Sequence, residues 1–437
     1  MSKWENISLD KLCNFDKGKT GLAKAIEGEF PLITTGADRK TCNEFQFNTK
    51  AVCIPLVSST GHGHASINYI HYQEGKFALG TILVALTAKN ESIINMKFLH
   101  LYLSELKDII LVPLMTGAAN VSLSISKIKK VEIPLPPIEE QNRIVKLFES
   151  IVEEQQVLET EISNQQNLLT KLKQSILQEA IEGKLTSKWR EQNQDFEPAS
   201  VLLEKIQAEK EQLIKDKKIK KSKPLPEISE DEIPFELPDN WEWCRVSELG
   251  VIYNGNSINK AEKEIKYNKK IDGYSYIATK DVDFNTNTLD YENGIYIPYE
   301  ETSFKTAKKD TTLICAEGGS VGKKIGYVER DICFGNKLYA IDYYSINVPK
   351  YLFYLYKSDF FYKQIKNLVG GIIGGISIAN FNSLFIPLPS ITEQKEIVKQ
   401  IEKLFAICDE LEEQINSSKQ NTQTLMQAIL NEAFATA

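Results

Sequence analysis

The sequence predicts an α+β protein in which two mixed α/β domains are separated by an antiparallel coiled coil of two long helices, with an approximate two-fold arrangement. Two observations lead to this prediction. A stretch of about 48 residues that begins at Ile133 occurs again, without gaps, from Ile386. Each copy follows a block of about 130–150 residues that is rich in short strand-like runs. A frame that is used twice predicts an architecture with two related halves.

The repeated unit has the sequence signals of a long helix. The first copy starts IPLPPIEEQNRIV and the second starts IPLPSITEQKEIV. Ser390 and Glu393 fit a capping box, in which two side chains satisfy backbone donors at a helix start. Apolar residues then step by four and three positions over more than four heptads, which favours a coiled coil over a surface helix. The predicted seam includes Ile144, Ile151, Leu158, Ile162, Ile397, Leu404, Leu411 and Ile415.

Two such helices in one chain are expected to pack on each other. With a rise of ~1.5 Å per residue, about 43 residues form a rod roughly 65 Å long. Antiparallel packing would place the two blocks at opposite ends of this rod. Polar seam positions at Gln155 and Gln165 match Cys408 and Ser418 in the second copy, and such positions fix register at a cost in stability. The alternative, two unrelated amphipathic helices, does not explain the shared register.

The two blocks resemble each other at their edges and differ inside. Trp4-Glu5 corresponds to Trp241-Glu242, and both blocks end in a Gly-containing loop before the Pro-rich helix start. Their interiors contain runs such as GTILVALTA and TTLICA, whose β-branched residues and flanking turn residues predict strands. Each block is therefore expected to contain a twisted mixed or antiparallel sheet.

The formal charge of −7 is unevenly distributed, and this bears on the class of partner. Residues 1–131 contain 15 basic and 11 acidic residues, whereas residues 238–385 contain 18 of each. The remaining segments therefore carry −11. Because phosphate contact needs local positive charge, the two blocks are the candidates for DNA binding. The acidic segments are better candidates for binding a protein.

Other classes of protein are disfavoured by motifs that are absent or incomplete. No apolar run reaches the ~20 residues that span a bilayer, and the start lacks a signal-peptide core, so a cytoplasmic location is expected. Seven scattered cysteines without a C-x-x-C pair indicate neither disulfides nor zinc. EGGSVGKKIG departs from a phosphate-binding loop, and GHGH lacks completing metal ligands. Asp239, Glu264 and Lys266 fit a loose nuclease pattern that is common by chance.

Polar, Gly-rich loops in the two blocks are the candidate DNA-contacting elements. Bases are specified mainly by Arg, Lys, Asn, Gln, Ser and Thr, while Lys and backbone N–H groups contact phosphates. The candidates in the first block are Thr35, Lys40, Ser59, Thr60, His62 and His64. The candidates in the second block are Thr279, Lys280, Gly319, Ser320, Lys323 and Lys324. For each of them, a purely structural role is the alternative.

Three motifs are typical of one known family. IPLPPIEEQ and IPLPSITEQ mark the helix starts, and ILQEAIEGKLTSKWREQN contains the G-K-L-T-x-x-W-R pattern at residues 183–190. With them the whole chain resembles the specificity subunit of type I restriction-modification enzymes. The resemblance implies target-recognition domains at residues 1–132 and 238–385, conserved helical regions at residues 133–194 and 386–437, and a charged linker at residues 195–237.

The resemblance also implies a non-catalytic role. The chain would bridge two adenine-N6 methyltransferase subunits and, through them, recruit motor-nuclease subunits. S-adenosylmethionine, ATP and Mg²⁺ would belong to those partners, and this chain would hold no cofactor or metal. Each domain would recognise one half of a split site in double-stranded DNA. The helix starts would dock the methyltransferases through Glu140, Gln141, Glu393 and Gln394.

The difference between the block interiors predicts that the two half-sites differ and that the full target is not a palindrome. Two alternatives from other classes remain at this point. A coiled-coil scaffold protein would show no salt-dependent binding to duplex DNA. A self-sufficient nuclease would cut DNA alone with a metal ion and would lose that activity on Glu264→Ala.

Overall fold

The structure is a computed structural model that describes residues 4–60, 63–118, 120–221, 225–268, 272–344, 348–371 and 374–435. The chain divides into two compact units. Unit 1 contains the residues up to Ser163 and those from Ile415 onward, and unit 2 contains Asn164–Gln414. Each unit holds one mixed domain together with parts of the two long helices.

The first domain is built from short strands and three α-helices in its described part. In chain order these are β1 (Glu5–Ser8), α1 (Leu9–Leu12), β2 (Cys13–Lys17), β3 (Phe30–Ile33), β4 (Lys40–Cys42), β5 (Phe47–Asn48), β6 (Ala51–Pro55), β7 (His71–Gln73), β8 (Lys76–Leu79), β9 (Leu83–Ala88), α2 (Met96–Ile110), α3 (Ile125–Lys129) and β10 (Glu132–Leu135). One sheet has the order β2-β9-β6-β7 and a second has the order β4-β3-β8-β5. β1 and β10 pair antiparallel, which joins the two ends of the domain.

Between the domains, the chain forms α4 (Ile138–Ile181), α5 (Ser187–Gln192) and α6 (Ala199–Lys215). The second domain and the last helix follow. Their elements are β11 (Glu242–Arg245), α7 (Val246–Leu249), β12 (Gly250–Asn254), α8 (Lys260–Glu262), β13 (Gly273–Ile277), β14 (Tyr296–Pro298), β15 (Thr306–Ala307), β16 (Thr312–Cys315), β17 (Ile325–Tyr327), β18 (Ile332–Phe334), β19 (Leu338–Tyr343), α9 (Pro349–Tyr356), α10 (Asp359–Leu368), α11 (Ile378–Ser383), β20 (Phe385–Leu388) and α12 (Ile391–Ala435).

The two domains share one strand topology. The sheet β12-β19-β16-β17 corresponds strand for strand to β2-β9-β6-β7, and β14-β13-β18-β15 corresponds to β4-β3-β8-β5. The parallel pair β3–β8 recurs as β13–β18, and β1–β10 recurs as β11–β20. The predicted strand runs GTILVALTA and TTLICA contain β9 and β16. The repeated frame therefore extends through interiors whose sequences differ.

The core of the first domain lies between a sheet and α2. Val52 and Leu86 from the sheet and Phe98 and Leu103 from α2 are fully buried. Asn95 caps the start of α2, because its side chain accepts hydrogen bonds from two backbone N–H groups. Full burial of one such apolar side chain contributes about 1.5–3 kcal/mol. The sheet and the helix therefore stabilise each other.

The predicted long helices are present, with 44 residues in α4 and 45 in α12. Inside unit 2 they run antiparallel. Lys173 of α4 contacts Asp409 and Glu412 of α12 at 2.9 and 3.0 Å. Arg190, beyond the end of α4, contacts Glu393 in the first turn of α12 at 2.8 Å. The predicted α+β class, with two mixed domains and two long antiparallel helices, is confirmed. Within the described ranges, no helix is apolar over a length that could cross a bilayer.

Burial along the long helices departs from the predicted seam at two positions. Six seam residues are buried or half-buried in the chain, namely Ile144, Ile151, Ile162, Ile397, Leu404 and Ile415. Leu158 and Leu411 are 44% and 41% exposed, so this chain does not bury them as a seam would. Ile144 belongs to the core of the first domain. A heptad pattern marks the apolar face of a helix, but it does not say which chain covers each part of that face.

The predicted charged linker contains a packed helix. In α6, Leu202 and Ile206 are buried, and their spacing of four residues places them on one helix face. Lys210 donates a hydrogen bond to the carbonyl oxygen of Ser247 at 3.2 Å, which ties α6 to α7. This part of the segment is therefore an element of unit 2 and not a solvated connector. The boundaries at residues 195 and 237 stay a prediction.

Candidate nucleic-acid interface

Two loops of the second domain that carry candidate residues are joined by a hydrogen bond. The first loop is the 3₁₀ turn Thr279–Asp281 after β13, and the second connects β16 to β17. The ammonium group of Lys324, in the second loop, donates to the carbonyl oxygen of Thr279 at 3.0 Å. The buried carboxylate of Asp281 accepts the backbone N–H of Ala278 at 2.9 Å and fixes the first turn. The candidate residues of both loops are thus neighbours.

Glycines shape the loop between β16 and β17. Gly318 and Gly322 have φ angles of +90° and +68°, a region that side chains rarely adopt. The N–H of Gly318 donates to the carbonyl oxygen of Gly374 at 2.8 Å, so a second Gly-rich segment supports the loop. The positive φ angles therefore favour glycine at residues 318 and 322, and the backbone hydrogen bond ties the loop to the second segment.

The candidates on these two loops differ in exposure. Gly319, Lys280 and Lys323 are exposed, whereas Ser320 and Lys324 are half-buried. The ammonium group of Lys323 lies 5.9 Å from the centre of the Tyr362 ring, within the range of a cation–π contact. A surface that offers lysine ammonium groups next to backbone N–H groups is suited to phosphate oxygens.

The corresponding loop of the first domain, after β6, is also supported by a second loop. The N–H of Ser58 donates to the carbonyl oxygen of Val121 at 3.0 Å. The hydroxyl of Ser58 donates to the carbonyl oxygen of His64 at 2.5 Å. The side chain of His64 is exposed, while His62 lies outside the described residues. Both domains therefore place a candidate loop against the segment that precedes their last short helix.

The hydroxyl groups of this loop have partners inside it. The oxygen of Ser59 accepts the backbone N–H of Asn68 at 2.9 Å. The hydroxyls of Thr60 and Ser66 lie 2.8 Å apart. Ser59 and Thr60 were predicted to contact DNA, and the structure shows that each also fixes the loop. A hydroxyl with one such bond keeps further acceptor capacity.

Arg39 is a candidate that the sequence reasoning missed. It lies between the predicted residues Thr35, which is half-buried, and Lys40, which is exposed at the start of β4. Its guanidinium is 2.8 Å from Nδ1 of His71 and donates to the carbonyl oxygen of Tyr72 at 3.3 Å. Burial, and next the positive charge of Arg39, lower the pKa of His71 to about 4. Arginine is the commonest base-reading residue, and its position among polar loop residues was the available signal.

The predicted docking glutamines are buried at the two helix starts. The amide of Gln141 donates to the carbonyl oxygens of Ile93 and Pro136 at 2.9 and 2.8 Å. Gln394, at the equivalent position, donates to the carbonyl oxygen of Pro389 at 2.9 Å. Both side chains are fully buried. They fasten the helix start to its own domain, and a docking role for them stays a prediction.

The glutamates that precede these glutamines, Glu140 and Glu393, differ in burial. Glu393 is fully buried, and its carboxylate accepts hydrogen bonds from Thr186 at 2.7 Å and Trp241 at 2.9 Å, besides those from Arg190. One half of the predicted capping box is present, because the backbone N–H of Glu393 donates to the hydroxyl of Ser390 at 3.2 Å. The carboxylate, which would form the other half, accepts hydrogen bonds from Thr186, Arg190 and Trp241 instead. Glu393 therefore has a structural role in this chain, and its predicted docking role stays a prediction.

Glu140, the fourth predicted docking residue, stays at the surface. Its carboxylate accepts two hydrogen bonds from Arg143 at 2.8 and 2.6 Å, and its side chain is 30% exposed. It is therefore the one predicted docking side chain that a partner could reach directly.

Catalytic chemistry has little support in the described part of the chain. No group of three or more His, Cys, Asp or Glu side chains there is arranged to hold a metal ion. All seven cysteines are buried, and burial raises the pKa of the Cys13 and Cys53 thiols to about 12. Thiols with raised pKa values are poor nucleophiles at neutral pH. The lysines and glycine loops of the candidate surfaces are suited to binding phosphate oxygens.

Comparison with protein families identifies this arrangement. The family described as type I restriction modification DNA specificity domain matches residues 1–167 and 238–418. The chain belongs to this family. Each matched segment contains one domain and the first part of the long helix that follows it. The segment between them, residues 168–237, contains the end of α4 with α5 and α6.

Several curated relatives carry the name of specificity subunit. The chain is 33% identical over 272 residues to the type I restriction enzyme EcoAI specificity subunit of Escherichia coli, which covers 60% of this chain and 44% of that protein. It is 32% identical to the EcoEI specificity subunit of the same species, over 60% and 43% of the two chains. The chain thus spans less than half the length of these two relatives in the matches. The EcoDI specificity subunit is 23% identical over 99% and 88%.

Two solved structures have the same fold as this chain. A chain from a study of complex assembly and conformational transition of the type I R-M system superposes with a TM-score of 0.65 at 18% identity, over 99% and 97% of the two chains. The HsdS subunit from Thermoanaerobacter tengcongensis superposes with a TM-score of 0.55 at 18% identity, over 99% and 96%.

Proposed function

We propose that this chain is the non-catalytic DNA-recognition subunit of a type I restriction-modification complex, in which each mixed domain recognises one half of a split, asymmetric target. The observation that carries the proposal is the repeated topology with different loops. Both domains present their candidate residues after corresponding strands, β6 and β16, on loops supported in the same way. The residues on those loops differ, so the two half-sites should differ as well.

The chemistry of the loops supports contact with DNA. Lys280 and Lys323 of the second domain and Lys40 of the first are exposed. Lysine ammonium groups and loop N–H groups set position on phosphates, while Arg, Asn, Ser and Thr discriminate base edges. Arg39, held by His71 and the backbone of Tyr72, is a further candidate base-reading side chain of the first domain.

The long helices are the proposed docking surface for two adenine-N6 methyltransferase subunits, and through them for the motor-nuclease subunits. Leu168 and Leu172 of α4 are 62% and 45% exposed, and Ile407 and Leu411 of α12 are 49% and 41% exposed. Residues four positions apart lie on the same face of a helix. Apolar surface of this kind at several helix positions is typical of a protein–protein interface. S-adenosylmethionine, ATP and Mg²⁺ would be bound by those partners and not by this chain.

Genome-wide mapping of methylated adenines tests the proposal. The chain would be co-expressed with the methyltransferase subunit of its own host. One split motif with two different halves, methylated on one adenine in each half and on opposite strands, is the expected result. A well-formed complex that adds no methylation would contradict it.

A coiled-coil scaffold without a role in DNA binding is the second candidate. The exposed apolar residues of the helices favour it as much as they favour methyltransferase docking. It predicts that the purified complex shows no salt-dependent binding to duplex DNA. A titration of duplex DNA at several salt concentrations separates the two candidates.

A further inference from the structure

A basic cleft of about 1250 Å³ lies within unit 2, next to the candidate loops but lined mostly by other elements. Its walls come from α4, from α9 and α10, and from the β16–β17 loop. Five lysines line it, namely Lys171, Lys173, Lys323, Lys357 and Lys363, against the two acidic residues Asp359 and Glu412. We call this feature the lysine cleft.

Four of the five lysines in the lysine cleft form no ion pair within the described part of the chain. Lys173 is paired with Asp409 and Glu412. For the other four lysines, no carboxylate lies within ion-pairing distance among the described residues. The chain has an excess of acidic residues, so four such lysines converging on one cleft need a reason. An anionic ligand would supply the missing charge.

Hydrogen bonds join two of the elements that line the cleft. Gln174 of α4 donates to the carbonyl oxygen of Lys357 at 3.2 Å and accepts the N–H of Asp359 at 3.1 Å, which ties the long helix to the turn between α9 and α10. The ammonium group of Lys357 lies over the rings of Phe353 and Phe405 at 5.1 and 5.8 Å. These contacts hold Lys357 in place before a ligand arrives, which lowers the entropic cost of binding at this lysine.

The side chain of Lys357 is largely withdrawn from solvent and lies near the charge of Lys173. Burial, and next the neighbouring charge of Lys173, lower the pKa of Lys357 to about 8, while Asp409 acts in the opposite direction. A phosphate group in the cleft would favour the charged form of this lysine.

We propose that the lysine cleft binds backbone phosphates of double-stranded DNA, outside the bases that the second domain reads. The inference rests on the proposed DNA-binding function and extends the phosphate contacts beyond the candidate loops, to lysines of α4, α9 and α10. Duplex DNA carries one phosphate per about 3.4 Å along each strand, so one strand offers several phosphates to neighbouring lysines. Lys323 belongs to both the β16–β17 loop and the cleft, and it therefore makes the two surfaces continuous.

The test removes two cleft lysines that lie outside the candidate loops. The variant Lys171→Gln/Lys363→Gln is assembled with the methyltransferase subunits and titrated with a duplex that contains the methylated motif and with one that lacks it. Measurements span about 50 to 200 mM salt, over which each phosphate contact contributes a slope of about −0.9 to log K against log salt. The matched control is Lys146→Gln/Lys366→Gln, which makes the same charge change on the same helices, α4 and α10, at exposed lysines outside the cleft.

The expected result is a slope that flattens by about 2 for the cleft variant on both duplexes, since two contacts are lost, with no change in the methylated motif. Lys171→Arg/Lys363→Arg should retain the slope, which separates loss of charge from misfolding.

A cleft variant that keeps the slope of the control overturns the inference, and so does a loss confined to the motif-bearing duplex. Adding about 1 mM ATP should leave unchanged the difference in DNA affinity between the cleft variant and the unmodified complex. If ATP instead binds saturably at the cleft, and as tightly as the duplex, the cleft would be assigned to free nucleotides. If the unmodified complex shows no salt-dependent DNA binding, the proposed function fails together with this inference.

Discussion

Arg190 donates two hydrogen bonds to one carboxylate oxygen of Glu393, at 3.0 and 2.8 Å, and thereby fastens the segment that follows α4 to the first turn of α12. Thr186 and Trp241 donate to the same carboxylate. Three of the four residues named here lie in the two motifs that indicate the family, G-K-L-T-x-x-W-R and IPLPSITEQ. Their physical role is to satisfy one fully buried charge.

Replacing Glu393 by Gln should lower the free energy of unfolding by about 2 kcal/mol, because Arg190 would lose a charged acceptor in a buried site. The equivalent residue Glu140 provides the matched control. Its carboxylate pairs with Arg143 at the surface, so Glu140→Gln should change stability by less than about 0.5 kcal/mol. Urea denaturation of the two variants measures both values. Equal effects at the two positions would contradict the assignment.

His71 should make the stability of the first domain depend on pH. Its pKa is lowered from 6.5 to about 4 in the folded chain. Between these values the unfolded chain binds a proton that the folded chain does not bind, so stability should fall as the pH falls from about 6.5 to about 4. His71→Gln should flatten this dependence, whereas His64→Gln, at an exposed position, should leave it in place. Denaturation midpoints across that range provide the measurement.

Exposed leucines of α4 should be required for assembly with the methyltransferase subunits. Leu168→Asp/Leu172→Asp places charges on an apolar face that a partner would cover, and co-purification of the methyltransferase should fall by at least about tenfold. The control Ser163→Asp/Asn167→Asp adds the same charge on the same helix, at exposed polar positions on a different face from the two leucines. Neither Leu168 nor Leu172 lines the lysine cleft. Unchanged assembly of the leucine variant would place the docking surface elsewhere.

The helices should set the distance between the half-sites and not their sequence. Inserting one heptad into each helix, at the equivalent positions Gln165 and Ser418, adds about 10 Å of helix, or about three base pairs of DNA. Methylation mapping should then show the same two half-sites with a longer gap. A variant that methylates a motif with altered half-sites would show that the helices also take part in reading the bases.

The sequence predicted the elements that depend on periodicity. An ungapped repeat with a heptad pattern predicts two matching helices, and β-branched runs between turn residues predict strands such as β9 and β16. These signals are local, so they do not need a knowledge of distant contacts.

The environment of individual site residues could not be predicted in the same way. Glu393 was expected at a docking surface, but its donors Thr186, Arg190 and Trp241 come from segments 152–207 residues away in the sequence. Leu158 and Leu411 fit the heptad, yet the pattern does not reveal which chain covers them. Arg39 is positioned by His71, 32 residues away. Such contacts are set by topology, and one sequence without a known topology does not specify them.

The distance along the chain between Arg190 and Glu393, 203 residues, has a consequence for biosynthesis. At a synthesis rate of about 5–20 residues per second, the ribosome completes Arg190 about 10–40 s before Glu393. During that interval all strands of the first domain have been synthesised. The carboxylate of Glu393, which Arg190 and Trp241 contact in unit 2, has not. A nascent chain stalled before Ile391 should therefore protect the first domain from protease while the segment around Arg190 and Trp241 remains open to cleavage.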